Sequence, residues 1–248
     1  MRHLFFLAIA CVLLVKFSFT QTATEIIKKA DDKVRGKSSI AELTITTVRP
    51  KWSRTMGMKM WSKGTKLAMI LITAPAKEKG TVFLKREKEV WNWLASIERT
   101  IKLPPSMMMQ SWMGTDFTND DLVKESSSVT DYTHRLLKDS VIDGRNCWKI
   151  ELIPKEDAAV VWGKILVWVD KVDYIQLKTA MYDEDGYLVN LMLASNIKKI
   201  GGRVLATKME MIPVDKKGQK TVMEYQSISF DVPIADSFFS LQNMKKVK

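Results

Sequence analysis

The sequence predicts an α+β fold, a long and strongly curved antiparallel sheet packed on one face by a few helices. Three observations carry that expectation. From Ser38 to Phe230 the chain runs in segments of about 8–12 residues, each rich in β-formers and closed by turn residues, the pattern of an antiparallel sheet or barrel. Helix-like patterning is confined to a stretch ahead of Ser38 and a stretch between two series of strands. No low-complexity linker and no convincing repeat divides the chain, so one domain is expected.

The N-terminus has the parts of a secretory signal peptide. Met1-Arg2-His3 is basic, and Leu4 to Val15 is an apolar run too short for a dedicated membrane span. Ser18 and Thr20 are small residues placed for cleavage between Thr20 and Gln21. Ala8-Ile9-Ala10-Cys11 loosely resembles a lipoprotein cleavage box, but the apolar run continues past Cys11 and too little chain precedes it. Residues 1–20 are therefore expected to be removed on export, leaving residues 21–248 as one soluble domain. No later segment approaches the ~18 consecutive apolar residues of a spanning helix.

Thr22 or Thr24 can cap a first helix from Glu25 to Arg35, with Ile26, Ile27, Ala30 and Val34 on one face and Gly36 as the stop. Strands are expected near 38–49, 52–62, 65–74, 80–86, 89–95 and 98–103. A second series is expected near 131–141, 145–153, 162–170, 173–182, 187–199, 203–213 and 220–230. Asp143-Gly144, Asp185-Gly186, Gly201-Gly202 and Lys217-Gly218 mark hairpin turns. Helical pieces are expected at 105–113 and 118–125, and the tail from Pro233 to Met244 offers one last turn around Phe238, Phe239 and Leu241.

The composition of these elements points to apolar contents. In 52–60 the even positions read Trp52, Arg54, Met56, Met58 and Met60, and the odd positions Ser53, Thr55, Gly57 and Lys59. One face of that strand is polar and the other is a stripe of methionines. Methionine is flexible and polarizable; it fills gaps in ordinary cores and is over-used on surfaces that adapt to varied apolar partners. Either role fits one stripe. Met69, Met107, Met108, Met109, Met113, Met192, Met209 and Met211 add to it, and together they favour a deformable cavity. The stretch from Trp91 and Trp93 through Pro104-Pro105 to Met107, Met108, Trp112 and Met113 sets soft apolar surface on a short element between strands, as a cover over apolar contents would. Leu67 to Ile72 and Ile165 to Val169 are apolar on both faces and should be covered on both sides.

Charge and cysteine content narrow the context. Removing Arg2 and Lys16 takes the basic count from 39 to 37 against 28 acids, a net charge of +9. That excess serves solubility or attracts anionic headgroups or an acidic partner. The basic residues are dispersed and form no nucleic-acid motif. Cys147 alone follows the cleavage site, so no internal disulfide is possible, and in Asn146-Cys147-Trp148-Lys149-Ile150 it reads as a small buried hydrophobe.

Most catalytic constellations are missing. His134 is the one histidine after cleavage, which excludes a zinc cluster of usual composition, and no Gly-x-Ser-x-Gly elbow seats a serine for it. An exposed strand histidine is the simpler account. Phosphate-cradling glycine motifs do not occur. Asp116, Asp120 and Asp121 form the best acidic cluster; beside Thr118 they fit helix capping better than paired-carboxylate hydrolysis. Asp183-Glu184-Asp185-Gly186 is too short for a calcium loop and sits where a hairpin turn is needed.

Three stretches carry a family resemblance: Trp91-Asn92-Trp93-Leu94 running to Leu103-Pro104, Met113-Gly114-Thr115-Asp116-Phe117-Thr118-Asn119-Asp120-Asp121-Leu122, and Asp231-Val232-Pro233 through Phe238-Phe239-Ser240-Leu241. With the exported context and the initial amphipathic helix, the chain resembles the periplasmic outer-membrane lipoprotein-sorting or lipoprotein-carrier (LolA/LolB-like) superfamily. The resemblance implies an incomplete, strongly curved antiparallel β-barrel of about eleven strands, with a lid of short helices over a hydrophobic cavity. It implies a non-catalytic periplasmic protein, without metal or cofactor, that takes acyl chains from an inner-membrane donor transporter to an outer-membrane acceptor. It also implies an arginine inside the cavity that latches the lid; Arg54, on the methionine face, is the candidate by alternation. Cavity and lid are expected to be lined by Trp52, Met56, Met58, Met60, Met69, Trp91, Trp93, Met107, Met108, Trp112 and Met113, in a monomer that binds no nucleic acid.

Two other functions stay open on the sequence. A sensor of the same fold would bind lipid or lipoprotein and signal to a membrane partner, though such proteins usually carry a further domain or anchor. An enzyme acting on lipid or glycan would need Asp116, Asp120 or Asp121 for turnover.

Overall fold

The computed structural model describes residues 21–124, 127–158 and 160–247. The expected signal peptide, with Cys11, and position 125 of the second helical piece lie outside them. Helix α1 (Ala23–Arg35) starts at Thr22, whose hydroxyl accepts from the Glu25 N–H while the Glu25 carboxylate accepts from the Thr22 N–H. Gly36, at φ 66°, ends it by donating to Asp32 O. Ile26, Ile27 and Ala30 are buried as the spacing predicts; Val34 is 53% exposed.

Fourteen strands follow among the described residues. They are β1 (Ser38–Arg49), β2 (Trp52–Lys63), β3 (Leu67–Ala74), β4 (Val82–Arg86), β5 (Glu89–Leu94), β6 (Arg99–Leu103), β7 (Tyr132–Leu136), β8 (Ser140–Ile142), β9 (Arg145–Pro154), β10 (Lys164–Asp170), β11 (Gln176–Tyr182), β12 (Leu188–Ile200), β13 (Arg203–Pro213) and β14 (Lys220–Phe230). The count exceeds the eleven or so implied by the resemblance. The segment expected as one strand at 131–141 is two, because its pairing along β9 is interrupted at Leu137–Asp139, where a single Leu137 N–H to Lys149 O bond remains.

The strands form one antiparallel sheet in the order β6-β5-β4-β3-β2-β1-β14-β13-β12-β11-β10-β9-β7, with β8 beside β9. Its two ends do not pair, so the barrel is open. The sheet nevertheless curls. The short π-helical turn Asp120–Lys124 contacts β4 and β5, and its Asp120 and Asp121 also line a cavity with Leu152 of β9 and Ile165 of β10. β4 and β10 lie eight places apart in the sheet, which when flat would separate them by roughly 38 Å at ~4.8 Å per strand. One turn of helix reaches both only because the sheet bends around it.

Alternation then assigns the faces. Inward go Leu43 and Ile45 of β1, Met56 and Met58 of β2, Ile70 and Ile72 of β3, Phe83 of β4, Met181 of β11, Met211 of β13 and Met223 of β14. At the far end α1 lies on Ile150, Leu152, Val167 and Val169. Outward from β2 to β5 go Trp61, Met69, Leu71, Val82 and Leu84, covered by Phe239 and Met244 of the tail. Two-sided burial of β3 is thus explained: Met108, Trp112 and Phe117 on one side, the tail on the other.

Two glycines test this geometry. A Cβ on Gly163 would stand 2.5 Å from Asp183 O and 2.7 Å from Glu184 Cα, backbone atoms that cannot swing away. At Gly64 nothing lies within 4 Å, but φ is +56°. Gly64→Ala should cost about 1 kcal/mol, the left-handed penalty alone. Gly163→Ala should cost about 2–3 kcal/mol because packed backbone must shift. Urea midpoints of the two variants read the difference, and equal midpoints would contradict it.

Candidate functional site

Of the two helical pieces expected between Pro104 and Lys124, the second is one π-helical turn, Asp120–Lys124, and the first is not a continuous helix. Pro105–Met107 and Trp112–Gly114 are single 3-10 turns, and around the second the chain doubles back through a one-residue bridge, Ser111 to Thr118. Met113, at φ 49°, breaks the helical path, and the Trp112 N–H goes forward to Phe117 O at 2.8 Å instead of back along a helix. The Asn119 N–H bonds to Gln110 O at 2.9 Å, its side-chain amide to Met107 O at 2.9 Å, and the Asp120 N–H to Met108 O at 3.0 Å. These bonds satisfy a backbone that has no sheet or long helix to do so.

The result is a compact plug on the inner face. It buries Met108, Trp112, Phe117 and Leu122 against the sheet methionines, with the Trp112 and Phe83 rings 5.5 Å apart. Capping operates at the following turn, where the Asp121 N–H donates to Thr118 Oγ1 at 3.0 Å and the Thr118 N–H to Asp121 Oδ2 at 2.8 Å. Asp116 plays no part in it.

Asp116 is instead the anchor of the plug. The Arg49 guanidinium donates to both its oxygens, at 2.9 and 3.0 Å, and also to Gly114 O at 3.2 Å. The Thr221 hydroxyl donates to Asp116 Oδ2 at 2.7 Å and accepts from the Asp116 N–H at 2.9 Å. Both charged side chains are largely buried, at 14% and 5% exposure. A forked, enclosed pair of this kind fixes position as well as adding energy. Arg54 makes a second tie, from Nη2 to Met113 O, with Nη1 3.7 Å from Glu78.

The sequence-derived residues fall into two groups. Met56, Met58, Met60, Met108, Trp112 and Met113 meet on the inner face. Met69, Trp91 and Trp93 lie on the outer face beneath the tail. Met107 is half-buried and Trp52 is 52% exposed beside Arg49, its ring 5.9 Å from the guanidinium. Sequence reasoning missed Met181, Met223, Phe117 and Trp162 on the inner face. It missed Arg49 because nothing in the chain links it to a partner 67 positions away.

Space remains around the plug. A cavity of about 230 Å³ lies between it and β9–β13, with Leu152, Ile165, Val167, Met181 and Met211 in its wall. A neighbouring one of about 160 Å³ under α1 shares Ser128, Gln176 and Met192 with it. A cleft of about 490 Å³, edged by Arg49, Asp116, Trp162, Asn190, Asp215 and Gln219, opens at one end of the sheet. Polar groups touch the cavity at a few points. Asp121 accepts from Trp162 Nε1 at 3.1 Å, and burial pushes its carboxyl above the usual aspartate range despite the bonds from Thr118 and Trp162. Burial, then the Asp120 charge, pushes the Tyr132 hydroxyl up as well.

The other candidates are structurally committed. His134 bonds Ser128 O at 2.7 Å and Thr24 Oγ1 at 3.0 Å, tying the start of α1 to β7. Cys147 is fully buried, and burial raises its thiol. The Asp183 carboxylate accepts from the Tyr187 N–H at 2.8 Å, so the acidic 183–186 stretch is a turn. Among the described residues no group of three or more His, Cys, Asp or Glu is placed to hold a metal, and no helix is long and apolar enough to cross a membrane.

A family model described as "Uncharacterized protein" matches residues 64–246, from β3 through the tail. The chain belongs to that family. Its fold is that of the LolA superfamily. A DUF1329 family protein from Desulfovibrio piger is 22% identical at a TM-score of 0.80, covering 90% of this chain and 97% of its own. A putative outer membrane lipoprotein-sorting protein domain from Vibrio parahaemolyticus is 23% identical at 0.80, covering 90% and 98%. A LolA superfamily protein from Nitrosomonas europaea is 24% identical at 0.78, covering 90% and 99%. No curated protein matches the sequence.

Asp116→Ala strands the Arg49 charge in an enclosed site and should cost about 3 kcal/mol or more in chemical denaturation, against about 1 kcal/mol for Arg54→Ala. Asp121 supplies a pH test. An acid whose folded pKa is raised contributes stability that is full below its ordinary value of 3.8 and is lost as pH rises through the folded value. Wild type should therefore lose stability relative to Asp121→Asn as pH rises above about 4. Parallel stability curves for the two would refute that assignment.

Proposed function

We propose that residues 21–248 form an exported, periplasmic carrier domain that holds the acyl chains of lipids or lipoproteins on the inner face of the sheet, without a chemical step. The observation that carries this reading is the inner face itself. Met56, Met58, Met108, Met181, Met211 and Met223 are buried there, Met60, Met113, Met192 and Met209 are partly so, and the adjoining cavities are left between plug, α1 and strands. A core built for rigidity uses branched side chains with fixed rotamers; methionine repacks around changing contents. The lipoprotein-sorting domain with which the chain shares its fold supports the same choice.

The energetics fit. Burying methylenes gains ~0.8 kcal/mol each, so about ten of them offset the loss of the plug's own contacts and the Arg49 and Arg54 ties. Trp112, Met108 and Met113 then act as the lid, exchanging one apolar contact for another as chains enter. Arg49 and Arg54 hold the lid closed when no chain is bound. The protein works as a monomer between an inner-membrane donor and an outer-membrane acceptor.

Native mass spectrometry of gently purified protein, with organic extraction of the same sample, tests this. One bound lipid or acylated protein per chain is expected. Met192→Asp, a half-buried change facing both cavities, should keep the fold by circular dichroism and lose the bound mass. A clean unliganded mass that also refuses added lipid would overturn the carrier reading.

A further inference from the structure

The two ends of the sheet are finished differently on the outside. Over β2–β5 the tail covers the outer face, whereas over β9–β12 an outer apolar cluster of Cys147, Leu166, Trp168, Ala180, Leu188 and Leu191 is built from strand and turn residues, and no helix or tail residue joins it among the described residues. Leu166, Leu188, Leu191 and neighbouring Leu193 are partly buried on it.

Lysines are set into this face in register. Lys149 of β9 and Lys178 of β11 are the direct cross-strand partners of Trp168 of β10, and their ammonium groups lie 5.1 and 4.9 Å from its ring centroid. Four residues along, Lys164 pairs with Tyr182 and stands 4.2 Å from its ring. None of the three lysines is ion-paired among the described residues. The acids on the same face are engaged elsewhere, Glu151 by Arg135 at 2.7 Å and Glu210 by Lys220 at 2.9 Å. The patch covers roughly 14 Å along the strands and 10 Å across them.

We propose that this outer face of β9–β11 docks the protein on an anionic phospholipid surface. The lysine ammonium groups would meet lipid phosphates, with Tyr182 and the partly buried leucines next to the headgroups and Trp168, 8% exposed, beneath the lysines. Unpaired cations ringing an apolar, aromatic floor match the charge and polarity gradient of that interface. An acidic protein would supply the charge but has no general need of the floor. The carrier reading explains only why the chain should meet a membrane. The cavity beside the plug, walled by Ile165, Val167 and Met181, is on the opposite face, so cargo binding there and docking can fail separately.

Flotation with vesicles of phosphatidylglycerol and phosphatidylethanolamine, against phosphatidylcholine alone, tests the proposal. Wild type should bind the anionic vesicles and be released by salt. K149E/K178E should bind at least about twentyfold more weakly, roughly fivefold per lysine removed. K198E/K199E, with the same charge change at two exposed lysines near the end of β12, should change by less than about threefold. Native mass spectrometry of K149E/K178E should show cargo unchanged, which separates docking from carrying. Equal loss in both double variants would overturn the proposal, as would no binding by wild type. Capture by polyglutamate with no vesicle binding would overturn it in favour of an acidic protein partner.

Discussion

A sheet that curls until β4 and β10 meet one turn of helix encloses more apolar surface than its own strands can bury. That constraint governs the rest. The inner side chains of β1–β4 and β11–β14 line one continuous curved face, and unfilled space against it would forfeit contacts. The chain supplies filling from two places, α1 at the β7–β10 end and the Pro104–Lys124 plug at the other. The plug holds only single 3-10 and π-helical turns, so its backbone groups must be met individually by loop bonds and by side chains of β1, β2 and β14.

Those polar ties and the apolar contacts do different work. Contacts of Met108, Trp112 and Phe117 with sheet methionines are non-directional, and another apolar surface can replace them at little net cost. The Arg49–Asp116 fork with Thr221 has no such substitute. Opposing it, Trp112 Nε1 is buried without a partner, a penalty of about 1–3 kcal/mol. Arg54 Nε and Glu78 Oε2 are buried unpartnered too. The plug is thus held by a few directional bonds against a built-in cost.

Much of the sheet was legible in the sequence because its signals are local. β1, β13 and β14 match their expected bounds residue for residue, since alternation, β-branched content and the Gly201-Gly202 and Lys217-Gly218 turns all act within a few positions. The plug was legible in composition only. Met107 to Met113 have helix-forming residues, but tertiary bonds to Phe117 O and Thr118 decide their path. The split of Met56 from Met69 onto opposite faces was not legible, because a methionine carries no mark of which side the sheet will bend towards. Asp116 illustrates the remaining limit. Its neighbourhood with Thr118 resembled a cap, and only the fold could bring Arg49 and Thr221 to it.

The uneven covering of the outer face follows from the same topology. The tail leaves β14 beside β1 and lies over the strands nearest to it, β2–β5, tied by Lys63 to Ile234 O at 2.9 Å. It does not reach β9–β11, so those strands must make an outer surface that water accepts without help. Lysines beside Trp168 and Tyr182 do this: their stems cover ring and leucine carbon while the ammonium groups stay hydrated, and each cation–ring contact adds about 0.5–1 kcal/mol at an exposed site. A surface soluble for that reason keeps its apolar floor under a movable layer of charge. An anionic interface can draw that charge aside and expose the floor where a neutral one cannot, so solubility alone and attraction to acidic headgroups are two consequences of one arrangement.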